Sequence, residues 1–303
     1  MTAGQHTSSA PRVTVVFVSH NSARDLDRAL ASLAENSPGL PAAAVVVENG
    51  PDPAPARVVC ARRGAALALP GRNLGYGRAA NLAAAGVATE YLAVANPDIL
   101  FQPGTLNRLV EFLDSHPDVG VVAPQLFYPD GRPQPSARRR PRFRYALAGR
   151  RSPLARLGRH GPGARAFQYL GSESALEPMA VDAVVGALML FRRRAFEEVG
   201  GFDPGYFMFA EDVDICLRLG RRWRVCLLPA AGLVHALGSS RRRARSFTEF
   251  HRLRSLHRLF ALSYPRALRP LITLLFTGYL GLLMALAAVG VGEFEYSWSR
   301  AGR

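Results

Sequence analysis

The stretch VTVVFVSHNSARDLDRALASLAENSPGLPAAAVVVENG, residues 13–50, decides the fold class. Its first six residues are almost all β-branched or aromatic, which is typical of a strand buried on both faces. A polar loop follows, then an amphipathic stretch with Leu26, Leu30 and Leu33 on one face. Residues 44–47 are apolar again. A strand, a helix and a second buried strand indicate a βαβ unit of a parallel sheet.

The same alternation continues along the chain. Apolar runs at residues 91–95 and 119–123 alternate with helical patterns at 78–85 and 106–113. This order predicts a layered α/β domain. In such sheets ligands bind at the carboxyl ends of the strands, so the loops that follow the strands are the first place to look for a site.

Composition excludes several classes of protein. The chain has 303 residues, a net charge of +15 and 49% hydrophobic residues, which excludes a disulfide-stapled peptide and a disordered chain. Three scattered cysteines without a C-x-x-C pair favour a reducing compartment. All 38 basic residues are Arg, and the charge predicts an anionic partner such as acidic lipid, nucleic acid or a phosphorylated ligand.

The two ends of the chain differ in character. Residues 1–11 are polar, so we expect a disordered N-terminus without a secretory signal. Residues 271–292 carry no charge, and this length can span a bilayer as a helix. Nine arginines between residues 241 and 269 favour contact with anionic lipid on the cytoplasmic side. We expect a membrane-associated helix, spanning the bilayer or lying on it, rather than a buried helix.

Two acidic elements can carry chemistry. Asn96-Pro97-Asp98 follows a predicted strand, where the aspartate suits Mg²⁺ or Mn²⁺, although a plain turn has the same composition. Residues 211–214 place three carboxylates in four positions, and their repulsion must be offset by a cation, a substrate or a helix N-terminus. One of them can serve as a general base for a hydroxyl, or the cluster can simply satisfy the helix dipole.

The order of the motifs identifies a family. The motifs are VVFVSHNS at 15–22, VVVENG at 45–50, GRNLGYGRAANLA at 71–83, ANPDI at 95–99, the block at 181–219 and VHALGSS at 234–240. From residue 13 to about 240 the chain resembles the family 2 glycosyltransferases, and within them the rhamnosyltransferase-like members. The resemblance implies the α/β GT-A fold, a single nucleotide-binding α/β/α sandwich merged with an acceptor-binding half.

Domain boundaries follow from the same resemblance. We expect the glycosyltransferase domain over residues 12–240. It comprises a nucleotide-sugar half at 12–128, a basic variable loop at 129–178 and an acceptor or catalytic half at 179–240. Residues 241–303 form the Arg-rich segment and the apolar C-terminal helix.

The resemblance also implies roles for individual residues. Asp212 matches the catalytic base and Glu211 its partner in the E-D element. Asp98 and His235 match ligands of Mn²⁺ or Mg²⁺. The residues that match nucleotide-sugar-binding positions are Ser19, Asn21, Glu48, Asn49, Asn73, Gly75, Asn96 and Gly186. The chain departs from the family pattern at His20, Glu48, Pro51 and Val185, which bears on the identity of the donor more than on its use.

The implied activity is an inverting, metal-dependent transfer of a sugar from a nucleotide-sugar donor. dTDP-rhamnose is favoured, and a UDP-sugar such as UDP-galactofuranose or UDP-glucose is the alternative. The acceptor is a glycan or a polyprenyl-diphosphate-linked sugar, in cell-wall or surface polysaccharide synthesis at the cytoplasmic face of the cell membrane. Two other classes are a catalytically silent membrane scaffold and a nucleic-acid-binding protein. Only the net positive charge favours nucleic-acid binding, and we expect no specific nucleic acid as a partner.

Overall fold

The computed structural model describes residues 10–142, 177–236 and 245–288 of the chain. The strands are β1 Val13–Ser19, β2 Ala42–Glu48, β3 Ala66–Ala68, β4 Tyr91–Ala95, β5 Ile99–Phe101, β6 Val119–Phe127, β7 Pro133–Gln134, β8 Ala137–Arg138, β9 Met179–Ala180, β10 Ala183–Val184, β11 Leu188–Arg192 and β12 Arg224–His235. The α-helices are α1 Ala23–Asn36, α2 Ala54–Arg63, α3 Tyr76–Ala84, α4 Thr105–Ser115, α5 Arg193–Glu198, α6 Glu211–Leu219, α7 Arg245–Ser263 and α8 Arg269–Ala288.

One large sheet organises the described residues. Its strand order is β3-β2-β1-β4-β11-β6-β12-β5, with β7 added to β6 and β9 added to β12. Strands β3, β2, β1 and β4 are parallel neighbours, which confirms the βαβ arrangement predicted from residues 13–50. Strand β11 runs antiparallel to both β4 and β6 in the middle of the sheet. The alternation of strands and helices did not predict this, because no crossover helix of the described chain leads into β11.

The core lies between this sheet and its helices. Alternate residues of β1 (Val13, Val15 and Phe17) are fully buried on the face that α1 covers with Leu26 and Leu30. The predicted apolar face of α1 is therefore confirmed. Burial of each such side chain stabilises the fold by about 1.5–3 kcal/mol. This packing holds α1 against the sheet, and α1 therefore fixes the direction in which the loop after β1 leaves the sheet.

Two strand predictions need correction. The apolar pattern predicted a strand at residues 225–228 that ended at Pro229, but β12 continues to His235 after an irregularity between Leu228 and Gly232. Proline at an irregularity does not end a strand, because the ladder hydrogen bond is already interrupted there. The expected loop at 129–178 begins with ordered strands, since β7 pairs with β6 and β8 pairs with β10.

Several expectations concern parts of the chain that are not described. The predicted disordered N-terminus, most of the basic loop (residues 143–176) and the arginines at 241–244 lie outside the described residues. Of the described residues, 10–140 and 177–255 belong to one compact unit, and 141–142 and 256–288 belong to a second. In the second unit Phe260, Ile272 and Phe276 form a small buried cluster.

The expected apolar C-terminal helix is present in part. Helix α8 covers residues 269–288, while residues 289–292 of the predicted apolar segment lie outside the described chain. Over the residues that are described, no helix combines the length and apolar character that crossing a bilayer requires. A spanning helix over 271–292 is thus not found there.

Candidate active site

Glu48 organises the first two loops at the carboxyl edge of the sheet. Its Oε2 accepts a hydrogen bond from Ser19 Oγ at 2.7 Å, and its Oε1 accepts from the backbone N–H groups of Asn21 at 3.0 Å and Gly50 at 2.6 Å. Ser19 and Glu48 are buried, whereas Asn21 is exposed and has a left-handed φ of 52°. Two predicted nucleotide-binding residues, Ser19 and Glu48, therefore hold the loops in place, and Asn21 is the member that a ligand can reach.

Asn49 ties the β2 loop to the loop before α3. Its Nδ2 donates to the Gly75 carbonyl at 3.2 Å, and its Oδ1 accepts from the Leu74 N–H at 3.3 Å. Asn73 Oδ1 in turn accepts from the Gly75 N–H at 2.9 Å. Gly75 has a φ of 81°, and a Cβ there would collide with the Phe207 carbonyl, so only glycine fits. The structure brings these predicted residues together, with Asn73 exposed at the rim.

Asp98 and His235 lie side by side because their strands pair. His235 ends β12 and is in register with Ile99 of β5, and the Ala236 N–H donates to the Asp98 carbonyl at 3.0 Å. His235 Nε2 and Asp98 Oδ1 are 3.5 Å apart, in side chains only 5% and 14% exposed. The long-range pairing implied by the family resemblance is therefore present.

This pair fits a hard divalent cation. Within the three described ranges, no group of three or more His, Cys, Asp or Glu residues is arranged to hold a metal ion. Mg²⁺ commonly takes only one or two protein ligands and completes its shell with water and substrate phosphates. Asp98 and His235 would supply the protein ligands in that mode of binding.

Asp212 is oriented by two backbone N–H groups. Its Oδ2 accepts from the Gly186 N–H at 3.0 Å, and its Oδ1 accepts from the Val213 N–H at 2.8 Å at the start of α6. A Cβ on Gly186 would lie 3.0 Å from Asp212 Cβ, so a glycine at this position allows the two segments to approach closely. A carboxylate held in one orientation is what general-base catalysis needs.

The same short segment joins Asp212 to the Asp98 loop. Gly186 contacts Asp212, and the next residue, Ala187, accepts a hydrogen bond from the Asn96 N–H at 2.9 Å. Asn96 contributes its backbone to this link. Two adjacent residues before β11 therefore connect the Asp212 carboxylate to the loop that carries Asp98.

Glu211 is a buried acid next to Asp212. It is 8% exposed, and its Oε2 has no hydrogen-bond partner. Burial, and secondarily the negative charge of Asp212, raise the pKa of Glu211 to about 8. Burial therefore favours the neutral form of the Glu211 carboxyl group beside Asp212.

The approach to Glu211 is strained. Phe209 and Ala210 both have a φ of 66°, in the left-handed region that non-glycine residues avoid. Each such residue costs about 1–2 kcal/mol, and strain of this kind clusters at functional sites. The turn directs Glu211 and Asp212 into the site from the first turn of α6.

Two residues near these groups were missing from the sequence-based prediction. Tyr76 donates from its hydroxyl to the Gly186 carbonyl at 3.3 Å, and its pKa is raised well above the ordinary value by burial and by Glu211, Asp212 and Asp98. Gln134 contacts His235 from the opposite side to Asp98. Tyr76 belongs to a recognised motif and could have been found, but nothing in the sequence around Gln134 signals a site.

Residues 14–200, more than half of the chain, match the sequence profile of Glycosyl transferase family 2. The chain belongs to this family. It is a family 2 glycosyltransferase, as the motifs implied, and the nucleic-acid-binding and silent-scaffold alternatives give way to an enzyme. The matched range contains the Glu48 and Asp98 loops, while Asp212 and His235 lie beyond it.

Rhamnosyltransferases are among the relatives of this glycosyltransferase. It is 32% identical over 234 residues to the N-acetylglucosaminyl-diphospho-decaprenol L-rhamnosyltransferase of Mycobacterium tuberculosis, an alignment that covers 73% of this chain and 75% of the relative. It is 44% identical over 64 residues to the rhamnosyltransferase WbbL of Escherichia coli, which covers 21% of this chain and 24% of that protein. The rhamnosyltransferase-like resemblance is thereby confirmed.

Solved glycosyltransferases share the fold. The mannosyltransferase PcManGT of Pyrobaculum calidifontis, in complex with GDP-Man and Mn²⁺, has a TM-score of 0.57 at 22% identity and covers 94% of this chain and 77% of that chain. GalNAc-T7 with UDP, GalNAc and Mn²⁺ has a TM-score of 0.59 at 16% identity, covering 82% and 47%. At such identities the likeness concerns the fold alone, and it supports the predicted mixed α/β GT-A type.

Proposed function

We propose that this glycosyltransferase transfers rhamnose from dTDP-rhamnose to a polyprenyl-diphosphate-linked acceptor, with inversion and with Mn²⁺ or Mg²⁺ bound. The name of the mycobacterial relative supports both the sugar and the acceptor class. The observation that carries the proposal is the Gly186–Ala187 segment, which ties Asp212 on one side and the Asp98 loop on the other. A UDP-sugar is the alternative donor, because the base-proximal positions depart from the family pattern.

Inverting transfer needs a base at one place and positive charge at another. One group must accept the proton of the attacking hydroxyl, and positive charge must offset the charge that develops on the departing diphosphate. Asp212, held by the Gly186 and Val213 N–H groups, would accept the proton. Asp98 and His235 would hold the divalent cation, which supplies the charge neutralisation on the diphosphate when bound.

Glu211 supports the base by staying neutral. A second carboxylate beside Asp212 would raise the energy of the charged base by like-charge repulsion. Burial, and secondarily the charge of Asp212, raise the pKa of Glu211 to about 8, which favours its uncharged form where the acceptor hydroxyl would arrive.

Transfer of radiolabelled rhamnose from dTDP-rhamnose to GlcNAc-diphospho-polyprenol in detergent tests the proposal. We expect metal-dependent transfer that EDTA abolishes, and at least a 100-fold loss in Asp98→Asn. Asp118→Asn is the matched control, since Asp118 is an exposed aspartate paired only on the surface with Arg224. Transfer from a UDP-sugar alone would retain the class and change the donor, while activity equal with EDTA would contradict the metal requirement.

We also propose association with the cytoplasmic face of the membrane. Two observations support this. Apolar side chains of α7 and α8 are exposed, Phe250 to 61% and Leu274 to 69%. Nine arginines lie between residues 241 and 269. Flotation of the full chain with vesicles tests it. We expect binding to vesicles rich in phosphatidylglycerol and weaker binding to pure phosphatidylcholine; no binding to either would contradict the proposal.

A further inference from the structure

Gln134 is a buried side chain with a fixed orientation. It lies in β7, 4% exposed, and its Nε2 donates to the His235 carbonyl at 2.7 Å and to the Phe127 carbonyl at 3.1 Å. The opposite amide orientation would face its oxygen towards two carbonyl oxygens, which only accept hydrogen bonds. The Gln134 amide is therefore held with Nε2 towards these carbonyls, and its Oε1 remains an acceptor.

This orientation determines where the proton of His235 lies. Gln134 Oε1 is 3.3 Å from His235 Nδ1, and an acceptor at that distance calls for an N–H donor. In the neutral imidazole a proton on Nδ1 leaves the lone pair on Nε2. His235 Nε2 is the atom that lies 3.5 Å from Asp98 Oδ1, so in this tautomer its lone pair faces a carboxylate oxygen.

Two electron-rich atoms at this separation are complementary to a cation. The pair would be unfavourable on its own, and a divalent ion that binds both atoms removes the repulsion. The backbone of Gln134 is itself anchored, because Gln125 Nε2 and Ser136 Oγ both donate to its carbonyl at 2.8 Å. The arrangement is thus built from several buried hydrogen bonds rather than from one contact.

We propose that Gln134 is a positioning residue that fixes His235 in the Nδ1–H tautomer and thereby presents Nε2, with Asp98, to a divalent cation. This inference rests on the metal dependence proposed above and adds a residue to it. Groups that bond to the second nitrogen of a metal-binding histidine typically change metal affinity 10–100-fold when removed.

Substitution by methionine tests this role. Gln134→Met retains the approximate volume and loses both amide functions, so we expect the dissociation constant of Mn²⁺, measured by electron paramagnetic resonance with dTDP present, to rise about 10–100-fold. Asn107→Leu is the control: it removes an amide of α4 whose Nδ2 donates to the Pro38 carbonyl rather than to Gln134 or His235. We expect its Mn²⁺ affinity to stay within about 3-fold of the wild type.

A second measurement on the wild type is independent of any substitution. Nitrogen-15 spectra of the histidine-labelled protein, recorded over a pH series, distinguish the two neutral tautomers from each other and from the imidazolium. We expect His235 to be protonated on Nδ1. Protonation on Nε2, or equal Mn²⁺ affinities in Gln134→Met and Asn107→Leu, would overturn the role of Gln134 and leave the proposed function intact. A wild type that binds no Mn²⁺ would instead overturn the metal dependence, and the cation role of Gln134 with it.

Discussion

Two loops at the same edge of the sheet use their glutamates in opposite ways. Both carboxylate oxygens of Glu48 accept hydrogen bonds from Ser19, Asn21 and Gly50. Glu211 is also buried, yet its Oε2 has no partner, and the chain reaches it through two left-handed residues. The first loop is therefore held rigidly by its hydrogen bonds. The second loop has a strained backbone and a buried carboxyl oxygen without a hydrogen-bond partner, next to the proposed base Asp212.

Neighbouring segments hold the strained loop in place. The Phe207 carbonyl accepts from the Tyr76 N–H at 2.9 Å, and Ser255 Oγ of α7 donates to the Met208 carbonyl at 2.8 Å. The Phe207 ring also lies 4.3 Å from the His251 ring. Strained backbone persists only where its surroundings determine it from several sides, and here α3 and α7 both contribute.

The largest expected effect concerns the base of the strained loop. Asp212→Asn retains an oxygen that can accept a hydrogen bond but cannot take a proton, so we expect kcat to fall by about 10²–10⁴-fold. Binding of dTDP, measured by calorimetry, should change by less than about 3-fold, since the carboxylate would act only on the acceptor. Loss of nucleotide binding in parallel with activity would instead mean that Asp212 helps to bind the donor.

We expect a substitution of Glu48 in the first loop to lower the stability of the protein. Glu48→Gln replaces a carboxylate oxygen by an amide nitrogen and weakens the bonds from Ser19, Asn21 and Gly50. We expect a loss of about 1–3 kcal/mol in the free energy of unfolding. Denaturant unfolding measures it, with Glu197→Gln as the control, because Glu197 forms an exposed pair with Arg193 that contributes little. Equal, small effects in both variants would contradict the loop-holding role of Glu48.

The matching substitution in the strained loop should have the opposite sign. The pKa of Glu211 is about 8 in the folded protein and near 4.5 when unfolded, so its contribution to stability falls as the pH rises from about 4.5 to about 8. Glu211→Gln cannot ionise, and we expect it to gain about 1 kcal/mol or more relative to the wild type at pH 8 and to gain little at pH 4.5. Thermal unfolding at the two pH values measures this, and a destabilised variant at pH 8 would refute the buried, neutral state of Glu211.

The smallest expected effect comes from the backbone strain. Ala210→Gly removes the Cβ that disfavours a φ of 66°, and we expect a gain of about 0.5–1 kcal/mol after the greater freedom of glycine in the unfolded chain is subtracted. Ala80→Gly, at a buried position within α3, is the control with the opposite expected sign, because glycine inside a helix destabilises the protein. A loss of stability in Ala210→Gly would show that the left-handed turn is not strained.

The sequence predicted the strands and helices better than the contacts within the site. Local signals located β1, α1, β4 and α6, because each lies in a short stretch whose periodicity or charge is visible without its partners. The family resemblance supplied the Asp98–His235 pair, which no local pattern links. Gln134 was missed because it lies in a proline-rich stretch and acts on a residue 101 positions away. The loop-holding roles of Ser19 and Glu48 were missed for the same reason, since residue type does not reveal which oxygen is already bonded.

Calorimetric titration of dTDP and of UDP, with Mn²⁺ and again with EDTA, tests whether Asp98 and His235 form a metal-dependent nucleotide-sugar site. We expect dTDP to bind more tightly than UDP and EDTA to weaken the binding at least about 10-fold, with the same loss in His235→Ala. Binding that is unaffected by EDTA and by His235→Ala would contradict a metal-dependent nucleotide-sugar site at Asp98 and His235.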